Sequence, residues 1–126
     1  MKITIETIPH KDQDYDTVGC WKFDAADGDL HILVSALGDW RREALIAFHE
    51  IAEALLCRSR HIDTKQVDAF DFAFEAKRAE GDTSEPGDDP ACPYRREHFF
   101  ATTVERLLAA ELGVDWAEYE RAVNAL

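Results

Sequence analysis

The stretch Trp40-Arg41-Arg42-Glu43-Ala44-Leu45-Ile46-Ala47-Phe48-His49-Glu50-Ile51-Ala52-Glu53-Ala54-Leu55-Leu56-Cys57-Arg58 decides how the chain is read. Leu45, Phe48, Ala52, Leu55 and Leu56 recur at helical spacing and predict an apolar stripe. Asp39, just after Gly38, is the expected helix cap. Residues four apart on a helix share a face, so His49 and Glu53 point the same way, at the edge of that stripe. That is the geometry a divalent cation needs from its first two protein ligands. Glu50 lies one step round the helix, within reach of a metal-bound water, and is expected as the general base. The pattern HExxE differs by one residue from HExxH, in which a glutamate stands between two zinc-binding histidines.

Two ligands do not make a catalytic zinc site; three plus water is the usual arrangement. His98 is the first choice for the third, because Arg95-Arg96-Glu97-His98 opens a helix directly after a proline-rich loop. Imidazole also suits zinc better than a further carboxylate. Asp71 is the next choice and Glu75 follows it. Tyr94, at the end of the same loop, is expected to donate a hydrogen bond to an oxyanion, with Arg95 or Arg96 free to bind a carboxylate. The expected cofactor is a divalent metal, zinc by preference.

Working outward, residues 2–8 alternate around Ile3, Ile5 and Ile8 and predict a strand. Val18 to Phe23 and Leu30 to Ser35 predict two more, joined by a turn at Asp27-Gly28. The first third is expected to be a small antiparallel sheet. Asp63 or Thr64 caps a second helix running to about Glu80, with Asp68, Asp71 and Glu75 sharing one face. Gly81 to Tyr94 holds three of the four prolines and is expected as a long loop. Arg95 to Leu112 is a third helix stopped at Gly113, with His98 and Glu105 on one face. A short fourth helix follows from Trp116 to Ala125, capped by Asp115. The fold class is α+β in a single domain spanning residues 1–126, with three main helices after the sheet.

Composition narrows the function. With 14 Lys and Arg against 26 Asp and Glu, the net charge is −12. A surface of that sign repels phosphate backbones, so nucleic-acid partners are not expected. No apolar run approaches a membrane span and no signal-peptide pattern opens the chain, so the cytoplasm is the default location. Cys20, Cys57 and Cys92 form no C-x-x-C pair and are expected to stay reduced. Cys92, six residues before His98, is expected to be a small packing residue rather than a nucleophile.

Two resemblances follow from these motifs. The segment Phe48-His49-Glu50-Ile51-Ala52-Glu53-Ala54-Leu55 resembles the active helix of zincin-like metallopeptidases, with Glu53 where those enzymes usually carry histidine. The whole chain resembles a family of small phage and prophage proteins to which no activity is attached. That likeness rests on the HExxE helix, Val67-Asp68-Ala69-Phe70-Asp71, Glu85-Pro86-Gly87, Pro93-Tyr94-Arg95-Arg96-Glu97-His98, and the tail Ala110-Glu111-Leu112-Gly113-Val114-Asp115-Trp116. It implies the cytoplasm of a bacterial host. The leading expectation is a metal-dependent hydrolase of peptide or amide bonds, acting on a protein or peptide of unknown identity. One alternative is a magnesium-dependent nucleotide pyrophosphohydrolase using Glu50, Glu53, Asp68, Asp71 and Glu75. Against it, magnesium prefers all-oxygen ligands, so the histidines fit poorly. A second alternative is an acidic, non-enzymatic phage protein that binds and inhibits a basic host protein.

Overall fold

Asp27-Gly28 reverses the chain as expected, and Gly28 takes the positive φ of 73° that the turn requires. The strands it joins, β2 (Gly19–Phe23) and β3 (Leu30–Ser35), pair antiparallel, with Trp21 opposite Ile32. These descriptions refer to a computed structural model covering residues 1–126. Strand β1 (Ile3–Ile8) departs from the expected antiparallel arrangement. It lies on the other side of β3 and runs parallel to it, so the strand order is β1-β3-β2 and the sheet is mixed. Antiparallel neighbours need only a tight turn, whereas a parallel pair needs a longer excursion. Residues 9–18 and β2 itself make that excursion here, with a single 3₁₀ turn at His10–Asp12 on the way.

Four helices follow: α1 (Trp40–Ser59), α2 (Thr64–Glu75), α3 (Arg95–Glu111) and α4 (Trp116–Asn124). The capping residues behave as expected. Asp39 accepts from the Arg41 amide at 3.0 Å, Asp63 forms a reciprocal capping box with Gln66, and Asp115 accepts from Glu118 N. Helix α1 ends in a Schellman turn in which Ile62 N donates to Cys57 O, with His61 in the left-handed region at φ 58°. Gly113, at φ 66°, ends α3 in the same way through Val114 N and Ala109 O. Helix α2 stops at Glu75 rather than near Glu80. Arg78 folds back to make two bonds to the Glu75 carboxylate and donates to Asp82 O at 2.7 Å, closing a turn where the helix would have continued.

Leu30, Ile32 and Val34 alternate along β3 and are completely buried. Helix α1 packs against β2 and β3 on one side and against α3 on the other. It runs antiparallel to α3: Arg60 pairs with Glu97 at 2.5 Å near one end, and His49 with Glu105 further along. This sandwiching corrects the expected apolar stripe. Phe48 and Leu55 are exposed, and the buried residues of α1 are Leu45, Ile46, Ala47, His49, Glu50, Glu53, Ala54 and Cys57. His49 and Glu53 therefore stand in the middle of the buried face, not at its edge. No helix is long and apolar enough to cross a membrane.

Candidate metal centre

Helical spacing sets His49 and Glu53 side by side, and the antiparallel packing of α3 brings His98 against both. His49 Nε2 lies 3.2 Å from His98 Nδ1, His98 Nδ1 lies 3.1 Å from Glu53 Oε2, and His49 Nε2 lies 3.4 Å from Glu53 Oε2. Tetrahedral coordination at about 2.0–2.1 Å per bond puts neighbouring donors about 3.3 Å apart. The three atoms thus form a triangle of the size of one tetrahedral face. This buried trio, selected at the sequence level, can hold a metal ion. Each residue is over 90% buried, with exposures of 8% for His49 and 6% for Glu53 and His98. Burying ionisable groups is costly unless they are paired or bind metal.

Every ligand candidate is also held from behind. His49 Nδ1–H donates to Glu105 Oε2 at 2.9 Å, and the other Glu105 oxygen accepts from the Tyr119 hydroxyl. His98 Nε2 meets Glu85 Oε2 at 3.0 Å. Glu53 Oε1 accepts from Trp21 Nε1 at 2.9 Å, which leaves Oε2 for the triangle. Outer partners of this kind fix ring orientation and tautomer in metal sites.

Proton occupancy points the same way. Burial alone would lower the pKa of His49, but hydrogen bonds to Glu105 and Glu53 outweigh it and hold the imidazole well above its usual value. His98 behaves likewise: burial opposes its charge, yet Glu53 and Glu85 raise it to about 9. Burial would raise Glu53, but hydrogen bonds from both histidines bring it down to about 2. Both facing nitrogens also lie against Glu53 Oε2, 3.4 Å from His49 and 3.1 Å from His98, so the carboxylates around them favour positive charge at this point, carried either by ring protons or by a cation.

Glu50 stands next to the triangle on the β2 side. A Cβ on Gly19 would lie 2.6 Å from Glu50 Oε1, so the absence of a side chain there lets the strand close over the carboxylate. Burial, reinforced by the charge of Glu53, pushes Glu50 up to about 8. Glu50, the triangle and Tyr94 line a common cavity of about 780 Å³. A carboxyl poised near neutral pH beside a cation site is equipped to take and return a proton.

The remaining expected residues sit elsewhere. Asp71 does not join the triangle; it accepts from Tyr94 at 2.5 Å and from Tyr15 at 3.0 Å, and burial raises it to about 6. The Tyr94 hydroxyl is committed to Asp71, and the Tyr94 ring lies edge-on to His98, 6.4 Å between centroids. Glu75 is taken by Arg78, and Asp68 joins no metal-sized group. Arg95 stacks on Phe99 and Arg96 is exposed. All three cysteines are free and buried, and burial raises Cys92 to about 12, far from a thiolate at neutral pH.

Trp21, Glu85, Gly87, Glu105 and Tyr119 carry parts of the centre that sequence reasoning did not assign. Only Glu105 left a signal, sharing the helical face of His98. Compared with known proteins, the chain matches no family model, no curated protein and no solved structure.

Proposed function

We propose that this chain is a zincin-like metal-dependent hydrolase of peptide or amide bonds. His49, Glu53 and His98 hold the cation and Glu50 is the general base. The observation that carries the proposal is the triangle itself, three converging donors each backed by its own partner. Two nitrogens and one carboxylate oxygen in tetrahedral spacing favour zinc over magnesium, which prefers six oxygens. Held there, the ion would supply Lewis acidity, polarising a carbonyl and making water nucleophilic near neutral pH. Glu50 would accept the proton and deliver it to the leaving amine. Strand β2 supports a peptide substrate: it is an edge strand with no strand partner on its outer side, and its first residue packs on Glu50. An extended chain can add to such an edge through main-chain hydrogen bonds.

The test has two stages. Protein stripped with a chelator should take up one equivalent of zinc, and failure to do so sinks the proposal. The loaded protein should then cleave members of a peptide library, with Glu50→Gln inactive. Uptake without cleavage would leave a metal centre and remove the hydrolase.

A further inference from the structure

Gly87 lies directly against the imidazole of His98. A Cβ at this position would stand 2.2 Å from His98 Cγ and 2.5 Å from Nδ1. The ring is flanked on both sides, with Glu53 Oε2 3.1 Å from Nδ1 and Glu85 Oε2 3.0 Å from Nε2. Any side chain at 87 must therefore displace either the ring or the loop. Glu85 belongs to the same turn. Pro86–Asp88 forms a 3₁₀ turn, closed by Asp88 N to Glu85 O and Asp89 N to Pro86 O, both at 3.1 Å. The turn that carries Glu85 can thus approach His98 only as closely as the backbone at 87 allows.

A neutral imidazole carries one proton, and the nitrogen that carries it cannot be a ligand. For His98 to bind a cation through Nδ1, the proton must sit on Nε2. We propose that Glu85 is the positioning residue of the centre. Its carboxylate accepts the Nε2 proton and fixes the tautomer whose Nδ1 lone pair faces His49 and Glu53, and the bare backbone of Gly87 brings it there. This rests on the metal-centre reading above. The same atoms have one rival role, since Glu85, Asp88 and His98 Nε2 could hold a second cation with the imidazole as a bridge. Burial favours the hydrogen bond: Glu85 and Asp88 are exposed, unlike the buried trio, and Glu85 Oε2 already stands at hydrogen-bonding distance, 3.0 Å, from Nε2.

The experiment uses the full chain and zinc alone. Affinity is measured by competition with a chromophoric chelator for the parent, Gly87→Ala, Glu85→Ala and Glu85→Gln, and the His98 tautomer by long-range ¹H–¹⁵N correlation. Loss of an outer partner costs roughly 10–100-fold in metal affinity. Gly87→Ala and Glu85→Ala should weaken zinc by that factor, at unchanged stoichiometry and helical content. Glu85→Gln, whose amide oxygen still accepts, should recover most of the affinity. The zinc-loaded parent should show the His98 ring proton on Nε2. Should Gly87→Ala not fold, Glu85→Ala and the tautomer decide. Parent-like zinc affinity in Glu85→Ala, or a proton on Nδ1 in the zinc-loaded protein, overturns the proposal while leaving the metal centre intact. A second equivalent of zinc that disappears in Glu85→Gln also overturns it, by making Glu85 a ligand. A parent protein that takes no zinc overturns both.

Discussion

Replacing Glu50 by glutamine should stabilise the metal-free protein while removing its chemistry. The carboxyl is raised from 4.5 to about 8 by burial and by the charge of Glu53. Between those values the folded state holds a proton that the unfolded state has released, so stability falls as pH rises through the window. At pH 7 the operative gap from the unfolded value of 4.5 is roughly 2.5 units, or about 3 kcal/mol at 1.36 kcal/mol per unit. Glutamine has the same shape and no such penalty. The variant should therefore gain almost nothing near pH 4.5, about 3 kcal/mol at pH 7, and a larger amount that levels off above pH 8. Urea unfolding of both proteins in chelator at pH 5, 7 and 8.5, followed by tryptophan fluorescence, measures this directly. Saturating zinc should shrink the gain, because a nearby cation favours the Glu50 carboxylate. A difference that is the same at every pH, or a variant less stable at pH 7, would refute the electrostatic account of Glu50. Stability gained at the expense of activity is the usual sign of a strained functional group.

Other outcomes follow from the same geometry. Cation binding must expel ring protons from both histidines, so zinc affinity should rise with pH at least as far as about pH 9, where His98 loses its proton unaided. Calorimetry in buffers of different ionisation enthalpy should record proton release, and buffer-independent heats would contradict it. Glu105→Ala should weaken zinc by roughly 10-fold or more without changing the single-ion stoichiometry. Unaltered affinity would show that Glu105 does not orient His49. Tyr94→Phe should cost about 1–2 kcal/mol of stability by removing a buried donor to Asp71, with zinc affinity within a few-fold of the parent. A large loss of zinc binding in that variant would place Tyr94 in the centre itself.

Much of the centre was legible because it depends on one helix. His49 and Glu53 share a face whatever α1 packs against, and the caps at Asp39, Asp63 and Asp115 are read from short-range chemistry. His98 was reachable because it opens a helix directly after the proline-rich loop and because imidazole suits zinc better than a further carboxylate. Elements that need tertiary closure were not legible. No local signal tells β1 to pass to the far side of β3. Trp21 meets Glu53 across 32 residues, and Glu85 meets His98 only because a buried glycine lets the loop approach. The apolar stripe failed for an instructive reason. Phe48 and Leu55 satisfy helical periodicity, but the face buried between the sheet and α3 carries His49, Glu50 and Glu53 among its apolar residues. Propensity and pattern disagree with the fold where burial of charge is at stake, as expected of a functional site.

In most domains a bound ion decorates a scaffold that would stand without it. Here the central helix presents its ionisable side chains to both neighbouring layers at once, so the groups that would grip the ion also fill the seam between those layers. An ion that binds only the folded chain would add to its stability by mass action. Chelators should lower its melting temperature without unfolding it, and the ion should serve as mortar between the sheet and α3.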